Sequence, residues 1–291
     1  MPEKSLNING VEWEYETAGR GREAMLLFHG AVGGAETMRA LAEGFADEFR
    51  TVAPTVADVN TLDEVCDAVS AILDREHVAR AHVFGGSFGG LVAQAFLKRR
   101  PAQVETLTLL STGAPDRKTG TRTARTAKLL RLIPFPLMRA LLKLEMSRHL
   151  NTPAPPEAAE RVAESRRRLE EYFDRKLTKR TLLSRVALSL DFNLGESYSA
   201  GGRDAWPGRV LIVESDNDPM IPPAERRRLR DTYPRAFVCT FPGAGHMITL
   251  LQPEALNGLV KAFVKEDYSS PSDITDYCPT DEPHEHHAHE F

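Results

Sequence analysis

The chain has 291 residues, 42% hydrophobic and 27% charged, with a formal net charge of −4. That length suffices for one large α/β domain or two small ones with a sizeable core, and the mixed, mildly acidic composition gives no support for nucleic-acid binding. No apolar run approaches the roughly 18 residues of a membrane span. The N-terminus, Met1-Pro2-Glu3-Lys4, lacks the apolar stretch of a signal peptide.

Three cysteines, Cys66, Cys239 and Cys278, lie far apart without metal-ligand spacing. Their odd count argues against a disulfide framework and fits a reducing compartment, so a cytoplasmic location is expected. The charge is unevenly spread. Residues 115–205 carry a net +8 and the remainder −12, including eight acidic and no basic residues from Glu266 onward.

Ser5–Ile8 and Val11–Tyr15, joined by Asn9-Gly10, read as a hairpin, because Asn-Gly tolerates the positive φ angles of a type I′ turn. Ala24–Phe28 is a continuous apolar run, as in a strand buried on both faces, and it ends in the glycine-rich His29-Gly30-Ala31-Val32-Gly33-Gly34. A helix over Leu41–Phe49 and a short strand at Thr51–Ala53 follow. Asp58–Glu76 reads as a helix with Thr61 as a cap and Leu62, Val65, Val69 and Ile72 as its apolar stripe.

The strand Ala81–Phe84 leads into Gly85-Gly86-Ser87-Phe88-Gly89-Gly90, then a helix over Leu91–Lys98 stopped by Pro101. A serine with glycines at −2 and +2 between strand and helix is the nucleophile-elbow pattern. Larger side chains at Gly85 and Gly89 would collide where strand and helix cross. Another buried strand spans Val104–Leu110. Residues 115–205 are helical and basic without a strand, too long for a connection, and read as an inserted cap. Strand–helix alternation resumes with Arg209–Val213, Ala224–Tyr233, Ala236–Phe241 and Pro253–Val264. The fold class expected is α/β: a mainly parallel, doubly wound sheet with a helical insertion. Core is expected at 1–114 and 206–265, cap at 115–205, and a disordered, acidic, His-rich tail at 266–291.

A serine hydroxyl needs a base, a carboxylate to orient that base, and donors for the oxyanion. His246 sits in Pro242-Gly243-Ala244-Gly245-His246 after the last strand. His77, His82, His149 and the four tail histidines are poorer candidates, and His29 is expected to have another role. The acid should end the preceding strand. Asp218 is preferred, since Pro219 holds it rigidly where the strand stops. Asp216 suits capping of the same turn, and Asp116 is a further candidate. Oxyanion donors are the amides of Phe88, at a helix N-terminus, and Ala31 in the first glycine loop. That loop could instead cradle a phosphate, but it lacks G-x-G-x-x-G spacing and a P-loop lysine.

With the order Ser87…Asp218…His246, the His29-Gly30 loop, the Asp218-x-x-x-Pro222 stretch and Gly243-x-Gly245-His246, residues 5–265 resemble an α/β-hydrolase. The resemblance implies Ser87 as nucleophile, His246 as general base then acid, Asp218 as its orienter, Phe88 and Ala31 as oxyanion amides, and no metal or organic cofactor. One departure stands out. Many relatives carry Asp-x-x-Gly-x-Gly where this chain reads Ala53-Pro54-Thr55-Val56-Ala57-Asp58-Val59-Asn60. That segment, and Leu132–Met138 in the cap, also resemble maspardin-like proteins, which are regarded largely as binding or trafficking proteins with an incomplete triad. The intact order here points to an active serine hydrolase, and a mostly apolar, cap-roofed pocket suggests a small or medium carboxylic ester as its substrate. Thioester, amide, lactone and carbon–carbon hydrolysis use the same constellation.

In the cap, Leu137, Leu141 and Leu144 share a helical face behind Pro136. That face is expected to roof the site while the arginines stay solvated. A lid resting on an anionic membrane is the alternative. Arg166-Arg167-Arg168 reads as a solvated helix face rather than an anion site. The partner expected is a small acyl substrate.

Overall fold

The computed structural model describes residues 3–150, 158–195, 206–265 and residue 278. Eight strands form one sheet, in the order β1-β2-β4-β3-β5-β6-β7-β8. β1 (Glu3–Ile8) and β2 (Val11–Ala18) are the expected hairpin, with Asn9 at φ 53° and Gly10 at φ 82°. β2 runs antiparallel to β4 (Arg50–Pro54). From β4 onward β3 (Ala24–Phe28), β5 (Ala81–Gly86), β6 (Val104–Leu110), β7 (Arg209–Ser215) and β8 (Phe237–Phe241) are all parallel. Every residue of β3 is buried, which explains its unbroken apolar run.

Helices cover both faces. α2 (Leu62–Arg75), α3 (Phe88–Arg99) and α8 (Pro223–Thr232) contribute to one core cluster. α1 (Arg39–Phe45), the short α9 (Ile248–Leu251) and α10 (Pro253–Lys265) contribute to the other. α2 starts four residues later than the periodicity suggests. Its cap is Thr61, whose hydroxyl accepts from the Glu64 amide while Glu64 reaches back to Thr61. α1 is shorter than Leu41–Phe49, because its C-cap is Ala46, and Phe49 is buried in the turn beyond it.

β3 lies between β4 and β5, so the chain reverses its direction of travel across the sheet there. The carboxyl ends of β3 and β5 meet at that switch, where open α/β sheets bind ligands. The His29 loop and Ser87 follow those two ends.

Between β6 and β7 lie α4 (Arg117–Leu130), α5 (Phe135–Leu150), α6 (Ala159–Arg175) and α7 (Lys179–Leu190). They share a small core of Met138, Tyr172, Phe173, Leu177 and Leu182. α7 fastens this insert to the sheet domain. The Ser184 hydroxyl donates to the Val59 carbonyl at 2.5 Å, Arg185 to the carbonyls of Val56 at 2.6 Å and Ala57 at 3.3 Å, and Thr181 to Asp58 at 3.2 Å. The segment that lacks the Asp-x-x-Gly-x-Gly loop is therefore the seat of the cap.

Cys239 of β8 is disulfide-bonded to Cys278, against the expectation of no disulfide drawn from the odd cysteine count. An odd total does not prevent two of the three from pairing, and residues far apart in sequence meet wherever the fold joins them. Cys278 is buried within the cluster under β8, so the tail touches the core at this point. The rest of the segment expected to be disordered, with its histidines, lies outside the described residues. Cys66 is free and buried.

Candidate active site

Ser87 links β5 to α3 with φ 52° and ψ −122°, backbone angles that a non-glycine residue adopts only when its surroundings impose them. Its amide donates to the Leu110 carbonyl at 2.9 Å, and its carbonyl accepts from the Gly90 amide at 2.9 Å and the Thr112 hydroxyl at 2.8 Å. The side chain makes no capping bond to α3. A Cβ at Gly85 would collide with the Gly89 backbone, and one at Gly89 with the carbonyl oxygens of Phe28 and His29. Gly30 is different, since a Cβ there meets nothing within 4 Å.

His246 and Asp218 meet. Nδ1 of His246 lies 2.8 Å from Oδ2 and 3.1 Å from Oδ1 of Asp218. The carboxylate can only accept, so the ring donates to it from Nδ1. Asp218 Oδ1 also accepts from the amides of Met220 at 2.8 Å and Ile221 at 3.1 Å. Burial pushes the Asp218 carboxyl up, but the His246 hydrogen bond and charge, with those two amides, outweigh it and hold the group below the usual carboxylate range.

The neighbours of Asp218 serve the histidine loop. Asp216 accepts from the Gly243 amide at 2.8 Å and Asn217 from the Gly245 amide at 2.7 Å. The Ser215 hydroxyl donates to the Phe241 carbonyl at 2.8 Å. Asp216 thus caps, though across to the other loop rather than within its own turn, and Gly243 and Gly245 supply φ 64° and 60°. Asp116 is engaged at the N-terminus of α4, accepting from Thr119 and Lys118. Asn217 and Ser215 were not singled out from the sequence. Their signal was their position, Asn217 one residue and Ser215 three residues before Asp218.

His29 is fully buried. Its Nδ1 donates to the Gly30 carbonyl at 2.7 Å and its Nε2 accepts from the Val56 amide at 2.9 Å. Burial, helped by the nearby Arg185 charge, pushes it down to about 3, so it is a neutral strut between the Ala31 loop and the cap seat.

A cavity of about 830 Å³ opens beside Ser87, Phe88 and Ala31 and is roofed by Leu130, Met138 and Leu142 of the cap. His246 and Asp218 do not line it. Asp116, Glu225 and Arg228 add charged groups to its lining. Burial and the charge of Asp116 raise the Glu225 carboxyl against the pull of Arg228 and Arg122. Arg185 also lines the cavity. It is 6% exposed, stacks over the Phe88 ring at 5.5 Å, and leaves its buried Nε without a hydrogen-bond partner. It was missed because an isolated arginine in a basic helix looks like any solvated one. Among the described residues, no group of three metal-ligating side chains converges.

The alpha/beta hydrolase family model matches residues 25–259, and the chain belongs to that family. It is 26% identical over 270 residues to the dihydrolipoyllysine-residue acetyltransferase component of the acetoin cleaving system of Pseudomonas putida, covering 88% of this chain and 67% of that protein. It is 26% identical to the rhodomycin D methylesterase DauP of Streptomyces sp. (strain C5), covering 70% and 73%. A shorter match, 32% identical over 129 residues and covering 36% and 42%, is to the 2-hydroxy-6-oxononadienedioate/2-hydroxy-6-oxononatrienedioate hydrolase of Paraburkholderia xenovorans (strain LB400). Among solved structures, a thermophilic esterase from Thermogutta terrifontis shares the fold with a TM-score of 0.70 at 18% identity, covering 91% of this chain and 98% of that one.

Proposed function

We propose that the protein is a serine hydrolase of small or medium carboxylic esters, acting through an acyl-enzyme. The observation that carries this reading is the Asp218–His246 hydrogen bond, in a family member whose Ser87 occupies a positive-φ turn beside an apolar cavity. Ser87 Oγ attacks the ester carbonyl while His246 Nε2 takes its proton. The amides of Phe88 and Ala31 hold the oxyanion, and the imidazolium returns the proton to the departing alcohol. Water, deprotonated by His246, then releases the acid and frees Ser87. The similarity to the Streptomyces rhodomycin D methylesterase supports an ester as substrate.

A fluorophosphonate probe tests this. Wild type should be labelled and Ser87→Ala should not. Absence of labelling between about pH 6 and pH 9 would favour the maspardin-like alternative, a binding protein with an idle site. The paired acid and base argue against that alternative, which rests on an incomplete triad.

A second reading, carbon–carbon bond hydrolysis by the same three residues, is favoured by Arg185. A buried guanidinium in the cavity wall suits a substrate carboxylate, and the Paraburkholderia relative is named for a dioate. On this reading Arg185→Met raises KM more for carboxylate-bearing substrates than for neutral esters, whose change measures the loss of its bonds to the Val56 and Ala57 carbonyls. A thioester substrate would be revealed by screening acyl thioesters beside the oxygen esters.

A further inference from the structure

We propose that the corner joining α4 to α5 docks on an anionic lipid surface, where the mouth of the Ser87 cavity meets the bilayer. Docking itself does not depend on the hydrolase reading; delivery of acyl substrates from the bilayer does.

Three observations converge. Among the described residues, seven large hydrophobic side chains are exposed, and five of them (Leu129, Leu132, Leu137, Leu141 and Leu144) belong to α4, α5 and their connection. Leu132 is 80% exposed and Leu129 62%. The face expected to be buried as the roof is thus half open, and Met138 is the buried residue of that turn. Next, residues 117–150 contain nine lysines and arginines and one acidic residue, Glu145. Arg125, Lys128 and Arg131 flank the leucines, are exposed, and pair with no carboxylate among the described residues. Finally, the patch is continuous with the cavity. Leu130 and Ile133 line the cavity while their chain neighbours Leu129 and Leu132 face outward, and Leu141 and Leu144 do both.

The corner is also built to hold its shape, because Lys179 Nζ donates to the carbonyls of Arg131 at 2.6 Å and Ile133 at 2.9 Å. An apolar ridge rimmed by uncompensated cations matches the headgroup and acyl layers of an anionic membrane. A second copy of the chain would bring like charges together across the ridge. The residues outside 117–150 sum to net −12, so the excess of positive charge is concentrated in this part of the sequence.

Flotation of the full chain, carrying Ser87→Ala so that lipid is not consumed, tests the docking. The protein should float with phosphatidylcholine–phosphatidylglycerol vesicles, less so as salt is raised, and not with pure phosphatidylcholine. Leu129→Ser/Leu132→Ser and Arg125→Gln/Lys128→Gln/Arg131→Gln should each lower the bound fraction at least about tenfold. Neither set touches the cavity, so in the Ser87 background both should hydrolyse a water-soluble ester as before, which also establishes folding. Failure of wild type to float, or equal flotation of the variants, overturns the proposal. A wild-type dimer that the leucine variants dissolve would overturn it too, assigning the ridge to a second copy. If the hydrolase reading alone were wrong, flotation would persist without ester turnover.

Discussion

In the proposed mechanism His246 serves as a base through Nε2, which requires Nδ1 to be the donor to the Asp218 carboxylate. Asp218→Asn would present an amide that can donate to Nδ1, favouring the wrong tautomer, and kcat for a p-nitrophenyl ester should fall by about 10,000-fold. Asp216→Asn keeps an oxygen for the Gly243 amide and should stay within about tenfold of wild type. If the Asp216 variant alone lost activity, the acid would be misassigned. His29 makes a separate prediction. Its imidazole is held neutral with a folded pKa of about 3, below the ordinary histidine value of 6.5. Its contribution to stability is complete above about pH 6.5 and is lost as the pH falls towards 3, because the unfolded chain takes up the proton first. His29→Gln should therefore show a shallower dependence of Tm on pH across that window, read by circular dichroism.

The β5–α3 elbow shows how an element and its punctuation are one device. α3 crosses so near β3 and β5 that a methyl group at position 89 has no room, and the collision is with backbone oxygens that cannot rotate aside. Gly89→Ala should cost more than about 4 kcal/mol in urea unfolding, at the upper end of single substitutions. Gly30→Ala, with open space around its Cβ, should change stability by no more than about 0.5 kcal/mol. Equal costs at the two positions would contradict this account of the turn. The cap offers a contrasting case. Its helices were legible from composition and their faces were not, because a cap roofing a cavity need not bury the same stripe as a helix lying on a sheet.

At the scale of the molecule, one covalent link spans the sheet domain and the C-terminal segment. Closing the 39-residue separation between Cys239 and Cys278 should contribute about 4 kcal/mol by restricting the unfolded chain. Non-reducing peptide mapping should recover the linked pair, and Cys278→Ser should lower Tm and abolish its sensitivity to reductant. A wild-type Tm indifferent to reductant would count against the link. Cap and sheet domain are joined through Ser184, Arg185 and Thr181 to residues 56–59. The segment that departs from the common loop pattern thus has a mechanical role.

What the sequence by itself determined was local. The strained serine turn needs glycines at fixed offsets, buried parallel strands need apolar runs, and Ser87, Asp218 and His246 follow one another behind successive strand ends. Such constraints act over a few residues and leave their mark in the letters. Only the tertiary structure decided how distant groups pair: Asp218 rather than Asp216 on His246, Asp216 and Asn217 on the loop amides, Cys239 on Cys278, and Arg185 in the cavity wall. Each partner lies a loop, a strand or a whole insert away, and residue type alone does not encode which long-range contact the packing of the sheet will close.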